Sequence, residues 1–75
     1  MRDPVINKGI FAMRLGRVVA KHGSVRAVAQ AAGLPKPTVE GWLYGYSLPN
    51  TIALARLCAG CNVSADWLLF GEERP

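Results

Sequence analysis

The sequence predicts an all-α protein of five short helices. Residues that favour helix N-caps precede most of five segments, and glycine or asparagine follows each of them. Within these segments, apolar residues recur at the i, i+3, i+4 spacing of a helix face, and no segment is predicted to be a strand. Apolar residues make up 51% of the 75 residues, enough for the core of one domain spanning 1–75.

The first helix is expected from about Val5 to Lys21. Asp3 is its predicted N-cap and Pro4 its first residue, where a missing N–H costs nothing, and Gly23 follows its end. Glycines within the segment lower its helix propensity, which favours a later start. Phe11, Leu15, Val18 and Val19 are predicted to face inward, and Arg14, Arg17 and Lys21 outward.

The second helix is predicted over Val25–Ala32, with Ser24 as its N-cap. Its small residues would let another helix approach closely. Gly33 can adopt a positive φ and so end this helix, and Leu34 would be an apolar plug in the turn that follows.

The third helix is predicted over Lys36–Tyr44 and is stopped by Gly45. Pro35 or Pro37 would occupy its first turn. Val39, Trp42 and Leu43 fall on one face of this helix. Two short helices joined by a sharp turn, at about residues 25–44, are typical of a helix-turn-helix, whose second helix enters a DNA major groove.

Two further helices complete the prediction, each with an N-cap before it and a residue able to end it after it. They are Thr51–Cys61 between Asn50 and Asn62, and Ala65–Phe70 between Ser64 and Gly71. Residues 72–75 are expected to form a frayed polar tail.

Positive charge is concentrated in the part of the chain that contains the helix-turn-helix. Eight Lys and Arg residues stand against two acids up to Arg56, whereas one Arg stands against three acids after it. A basic face suits a polyanion such as nucleic acid, although many small soluble domains are mildly basic. No apolar run approaches the roughly 20 residues that span a bilayer, and no signal peptide is evident, so a cytoplasmic protein is expected.

From Ser24 to Gly71 the chain resembles the lambda-repressor/Cro-like (XRE-type) helix-turn-helix regulators. The landmarks lie in the family's order: Val28-Ala29, the Gly33-Leu34 turn, Thr38-Val39, Trp42, Gly45, Pro49, the core positions of the fourth helix (Leu54, Leu57, Cys58 and Cys61), Asn62-Val63-Ser64, and 66–72. The resemblance implies a compact five-helix lambda-repressor-like fold and a sequence-specific regulator of transcription. The last helix favours a repressor of phage or prophage type.

The resemblance also implies which residues contact double-stranded DNA. Lys36 would reach guanine or phosphate, Glu40 would accept from cytosine N4, and Thr38 would touch a thymine methyl or a phosphate. The full implied set is Arg26, Lys36, Pro37, Thr38, Glu40, Gly41 and Tyr44, together with backbone amides at the start of helix two.

The chain departs from the family pattern at several of these positions. Val25 stands where the family often has a phosphate-binding glutamine, and Arg26 would substitute for it. Pro37 and Gly41 offer no polar group for reading bases. Leu43, with Val18 as its expected partner, would replace a family ion pair by an apolar contact. Specificity would then depend on Lys36, Glu40, the N-terminal Arg2 and Lys8, and DNA shape.

Cys58 and Cys61 form a C-x-x-C pattern, which in other settings marks a redox or metal site. The preceding strand of a redox motif is not predicted, and His22 is the one other good soft ligand. The two cysteines share a helix face with leucines, so core packing is favoured and no metal or cofactor is predicted. His22 is expected at the surface, interacting with the end of its helix. The tryptophans are favoured as core residues over a base-stacking platform.

Apolar residues left over on helices four and five suggest a contact between two copies of the chain. Ile52, Trp67 and Phe70 are the candidates for this homodimer contact, although Trp67 and Phe70 would also serve to cap the core. A homodimer would bind a two-fold site with half-sites about one helical turn apart. The chain is read either as a complete Cro-like protein or as the DNA-binding part of a longer repressor.

Two alternatives remain open. Val25, Pro37 and Gly41 motivate a protein-interaction module, antitoxin-like or partner-docking, that keeps the fold with weak DNA reading. A metal- or redox-sensing regulator would use Cys58 and Cys61. Nothing in the sequence resembles a catalytic constellation or a phosphate-binding loop, so an enzyme is not predicted.

Overall fold

The computed structural model describes residues 6–71, which form five helices without strands, as the sequence predicts. The helices are α1 (Lys8–His22), α2 (Val25–Ala32), α3 (Lys36–Leu43), α4 (Thr51–Cys61) and α5 (Ala65–Phe70). Within the described residues, no helix is long and apolar enough to cross a membrane.

The predicted start of α1 near Val5 is wrong, because Asn7 begins the helix. The Asn7 Oδ1 atom accepts hydrogen bonds from the amides of Gly9 (2.7 Å) and Ile10 (3.1 Å). These bonds satisfy two of the amides that a helix start leaves without partners. The predicted cap at Asp3 and Pro4 lies outside the described residues. Helix α1 ends at His22, one residue later than expected.

The boundaries of α2, α4 and α5 are confirmed, and each begins at its predicted N-cap. The side-chain oxygens of Ser24, Asn50 and Ser64 accept bonds from amides three residues ahead, at 3.0, 2.8 and 3.3 Å. Asn62 ends α4 with φ 55°, the left-handed conformation that the sequence predicts for it. Helix α3 ends at Leu43, one residue early, because Tyr44 occupies the cap position.

All five helices contribute to a single core. The predicted inward residues of α1 are confirmed: Phe11, Leu15 and Val18 are buried, and Val19 packs against them. Trp42 is buried, as a core tryptophan should be. The other buried residues are Val28, Ala29, Ala32, Val39, Leu57, Cys61 and Leu68.

Helices α2 and α4 cross at van der Waals contact of their backbones. A Cβ on Gly60 would overlap the carbonyl oxygen of Ala31 and lie 2.7 Å from the Cα of Ala32. Only glycine permits this approach, and the small residues predicted to admit a neighbouring helix are the ones that meet it.

The outward prediction for Arg14 is wrong. Its side chain is half-buried, and Nη1 donates to the carbonyl oxygen of Leu68 at 3.3 Å. The guanidinium therefore lies at the C-terminal end of α5, where cations are favoured. Arg17 and Lys21 are exposed as expected. Helix α5 runs antiparallel to α1, since Ser64 and Trp67 lie near Lys21 and His22.

Candidate nucleic-acid interface

The turn between α2 and α3 has the geometry of a Schellman motif. The amide of Leu34 donates to the carbonyl of Ala29 at 2.9 Å, and that of Gly33 donates to Gln30 at 3.2 Å. Gly33 adopts φ 67°, which a side chain would strain. The turn thus fixes the direction in which α3 leaves α2.

Pro35 is the N-cap of helix α3, and Pro37 lies in the first turn of that helix, where no backbone donor is needed. Val39 and Trp42 point into the core. Leu43 packs against α1, where its Cδ1 lies 4.0 Å from the position of a Cβ on Gly16. An apolar contact between Leu43 and α1 at Gly16 is therefore present.

The opposite face of α3 is the surface available to DNA. Lys36, Pro37 and Thr38 are exposed, as the predicted interface requires. Glu40 and Gly41 are half-buried, and a Cβ on Gly41 would lie 4.0 Å from the Ser47 Oγ atom. The side chains at the N-terminal end of α3 are thus more exposed than those in its middle.

Lys36 and Glu40 form an ion pair one helical turn apart. The Lys36 Nζ atom lies 3.9 Å from Glu40 Oε2. A solvent-accessible pair of this kind, with Lys36 exposed and Glu40 half-buried, contributes less than about 1 kcal/mol to stability. The pair instead affects the electrostatics of the surface, because the one carboxylate of α3 offsets the charge of the helix's one cation. It also places a hydrogen-bond donor and an acceptor side by side.

Tyr44 and Tyr46 form an aromatic pair at the C-terminal end of α3. Their ring centroids are 5.9 Å apart in an edge-to-face arrangement, and the residues are 61% and 75% exposed. A second Schellman motif positions them, with Gly45 at φ 80° and the Tyr46 amide donating to Gly41 at 2.9 Å. The sequence analysis did not single out Tyr46, although the Tyr-Gly-Tyr sequence at the end of α3 could have indicated it.

The start of α2 combines an exposed cation with backbone amides that have no acceptor inside the helix. Arg26 is exposed in its first turn. The Ala27 amide is taken by Ser24, which leaves the amides of Val25 and Arg26 as the ones without an acceptor inside the helix. An anion is favoured at this position by the helix dipole.

The two cysteines lie on α4 and pack into the core. Cys61 is buried with its Sγ 3.9 Å from the carbonyl oxygen of Val28, and Cys58 is half-buried. Burial raises the pKa of both thiols, and Cys61 raises the pKa of Cys58 further. Both thiols are therefore protonated at neutral pH, the form that is a poor metal ligand and nucleophile.

A family model described as helix-turn-helix matches residues 13–68. The chain belongs to the XRE-type helix-turn-helix family. This family consists of DNA-binding regulators related to the lambda repressor and Cro, and it is not typically enzymatic. No curated protein and no solved structure matches the chain.

Family membership gives the two-helix unit α2–α3 its role. An XRE-type domain binds double-stranded DNA with the second helix of this unit. Seven cations stand against two carboxylates in residues 6–71, so the described part of this XRE-type domain has the charge that binding to phosphates requires.

Proposed function

We propose that this XRE-type protein is a sequence-specific transcriptional repressor of phage or prophage type. Its single domain would dock α3 in the major groove while Arg26 and the amides at the start of α2 hold the phosphates. The exposed N-terminal end of α3, with the Lys36–Glu40 pair, is the observation that supports this proposal most.

The seven proposed DNA contacts divide by their chemistry. Lys36 and Glu40 are the base-reading pair, since a lysine donates to guanine O6 and N7 and a carboxylate accepts from cytosine N4. Arg26 and Tyr44 would contact phosphate. Pro37, Thr38 and Gly41 would supply shape and van der Waals contact along the groove.

A homodimer is the proposed binding form. Ile52 is 69% exposed and Phe70 is 42% exposed, while Trp67 is half-buried. The proposed contact would bury these apolar side chains against the second copy of the chain. The twofold operator would have half-sites about one helical turn apart.

Selection of bound duplexes from a random DNA pool tests the proposal. The selected duplex and a random duplex are then compared for affinity at two salt concentrations. We expect a palindromic sequence bound at least about 10³-fold more tightly than random duplex. Equal, steeply salt-dependent binding to every duplex would contradict specific recognition.

The alternative of a protein-interaction module on the same fold makes the opposite prediction. The exposed Tyr44, Tyr46 and Ile52 are the observation that favours it. In that case Lys36→Ala would leave the biological activity intact, whereas a change at Ile52 or Trp67 would abolish it.

A further inference from the structure

A groove of about 410 Å³ lies between the C-terminal half of α1 and the turn that joins α4 to α5. This volume lies within the range of small-molecule sites. The buried residues Val18 and Cys61 form its floor. None of its lining residues belongs to α2 or α3, so the groove is distinct from the proposed DNA surface.

One wall of the groove is cationic. Arg17 and Lys21 are exposed neighbours at i and i+4 on α1, and neither has an ion-pair partner among residues 6–71. No carboxylate lines the groove. Two cations on one wall, with no ion-pair partner in the described part of the chain, favour an anionic ligand, and the guanidinium of Arg17 can bind a carboxylate with two parallel hydrogen bonds.

A second wall of the groove, from α5 and the turn before it, is aromatic and apolar. Trp67 and Val63 are half-buried and present carbon surface to the groove. The Ser64 Oγ atom accepts from the Trp67 amide at 3.3 Å, so its hydroxyl hydrogen remains available to a ligand. His22 is held by its Nδ1 atom, 3.1 Å from the Val18 carbonyl oxygen, which leaves Nε2 for a further contact.

We propose that this groove binds a small organic anion with a flat apolar body, such as an aromatic carboxylate. The ring would pack on Trp67 and Val63, and the carboxylate would lie against Arg17 and Lys21. Inorganic phosphate would leave the apolar wall without a partner, and a neutral aromatic compound would leave the cations without one. Both halves of the groove therefore select the same class of ligand.

Titration of the full chain with 2-naphthoate tests this assignment. Calorimetry gives the affinity, and NMR amide shifts locate the ligand. We expect saturable binding of one equivalent, with shifts at Ser64 and Trp67. The double variant Arg17→Gln/Lys21→Gln should bind at least about tenfold more weakly, equivalent to about 1.4 kcal/mol. The matched control is Lys8→Gln/Arg56→Gln, which removes two exposed cations outside the groove and should keep the affinity.

Three outcomes would overturn the proposal. They are an absence of saturable binding, equal binding of the neutral 2-naphthamide, and shifts confined to other helices. If the Arg17→Gln/Lys21→Gln variant loses DNA affinity while the wild-type protein binds no naphthoate, the two cations serve DNA phosphates instead. Circular dichroism of each variant confirms the fold, which changes at exposed residues should leave intact.

Discussion

The guanidinium of Arg14 connects α1 to the end of α5 through the carbonyl oxygen of Leu68, 54 residues further along the chain. The same side chain lies against Gly71, where a Cβ would come within 2.6 Å of Arg14 Nη2. Arg14 thus supplies both a hydrogen bond and a positive charge where the carbonyl groups of α5 lack partners inside the helix.

Replacing Arg14 by methionine should therefore destabilise α5 in particular. Methionine keeps an apolar stem but loses the donor and the charge, and we expect a loss of about 1 kcal/mol in the free energy of unfolding. Urea denaturation measures the total, and hydrogen exchange of α5 amides shows where the loss falls. Arg17→Met, at an exposed arginine of the same helix, is the control and should change stability little. Equal losses in the two variants would contradict the role of Arg14.

Gly60→Ala should destabilise the fold, because the new methyl group would overlap the backbone of Ala31. Overpacking of this kind costs about 1–3 kcal/mol. The matched control is Gly16→Ala, whose Cβ would lie 4.0 Å from Leu43 Cδ1, an ordinary contact. That control should raise stability by roughly 0.5–1 kcal/mol, since alanine favours a helix interior. Thermal unfolding by circular dichroism compares the two, and a neutral Gly60→Ala would show that the helices can separate cheaply.

Lys36→Ala should cost about 1–3 kcal/mol of specific DNA binding and relax the preference at one base position. Arg26→Ala should instead weaken binding to all sequences and flatten the dependence of affinity on salt, because a phosphate contact is lost. Binding titrations against the selected duplex and a random one separate the two effects. Arg56→Ala, an exposed cation on α4, is the control. Unchanged affinity in both Lys36→Ala and Arg26→Ala would contradict the docking of α3.

Ile52→Ser and Phe70→Ser should each weaken self-association if these residues form the homodimer contact. Burying a large apolar side chain contributes about 1.5–3 kcal/mol, so its loss should raise the dimer dissociation constant by at least about tenfold. Sedimentation equilibrium measures that constant. Met13→Ser is the matched control, because Met13 is 59% exposed but lies on α1, outside the proposed contact. A wild-type chain that stays monomeric at all concentrations, or an equal effect of Met13→Ser, would exclude this contact.

The two thiols should make stability fall at alkaline pH. Their pKa values are raised in the folded protein, so the unfolded chain loses its thiol protons first as pH rises. Deprotonation then favours the unfolded state from about pH 8.5 upward, and the stabilisation present below that pH is lost. Urea denaturation from pH 7 to pH 10 measures the slope. A Cys58→Ala/Cys61→Ala variant should show a smaller slope; an identical slope would show that the thiols do not contribute.

Local sequence signals predicted most helix boundaries because the caps are local. Ser24, Asn50 and Ser64 each stand directly before their helix and bond to it. The start of α1 was predicted wrongly because the sequence analysis considered only Asp3 as a cap, although Asn7 also precedes the apolar pattern. Sequence alone does not show which polar residue caps the helix, and the backbone geometry places the Asn7 side chain on the amides of Gly9 and Ile10.

The sequence pattern did not predict the contacts between helices that are distant along the chain. The helical spacing placed Arg14 on an outward face, but that reasoning cannot show that the end of α5 covers this face. The role of Gly60 was not predicted, because the sequence of the Cys58–Cys61 segment does not show that the backbone of α2 lies against this glycine. The Lys36–Glu40 pair, by contrast, follows from i, i+4 spacing and was predictable.

The backbone crossing at Gly60 has a mechanical consequence for the two-helix unit. At Gly60 the backbones of α2 and α4 meet without an intervening side chain, so the spacing at this point is set by atoms that rotamer changes cannot move. Changes in side-chain packing elsewhere in the core are thus expected to leave the distance between α2 and α4 at this crossing unchanged. Because the Gly33 turn fixes the orientation of α3 relative to α2, the orientation of α3 would depend on the backbone contact between α2 and α4. Substitutions among the surrounding core residues would then change that orientation little.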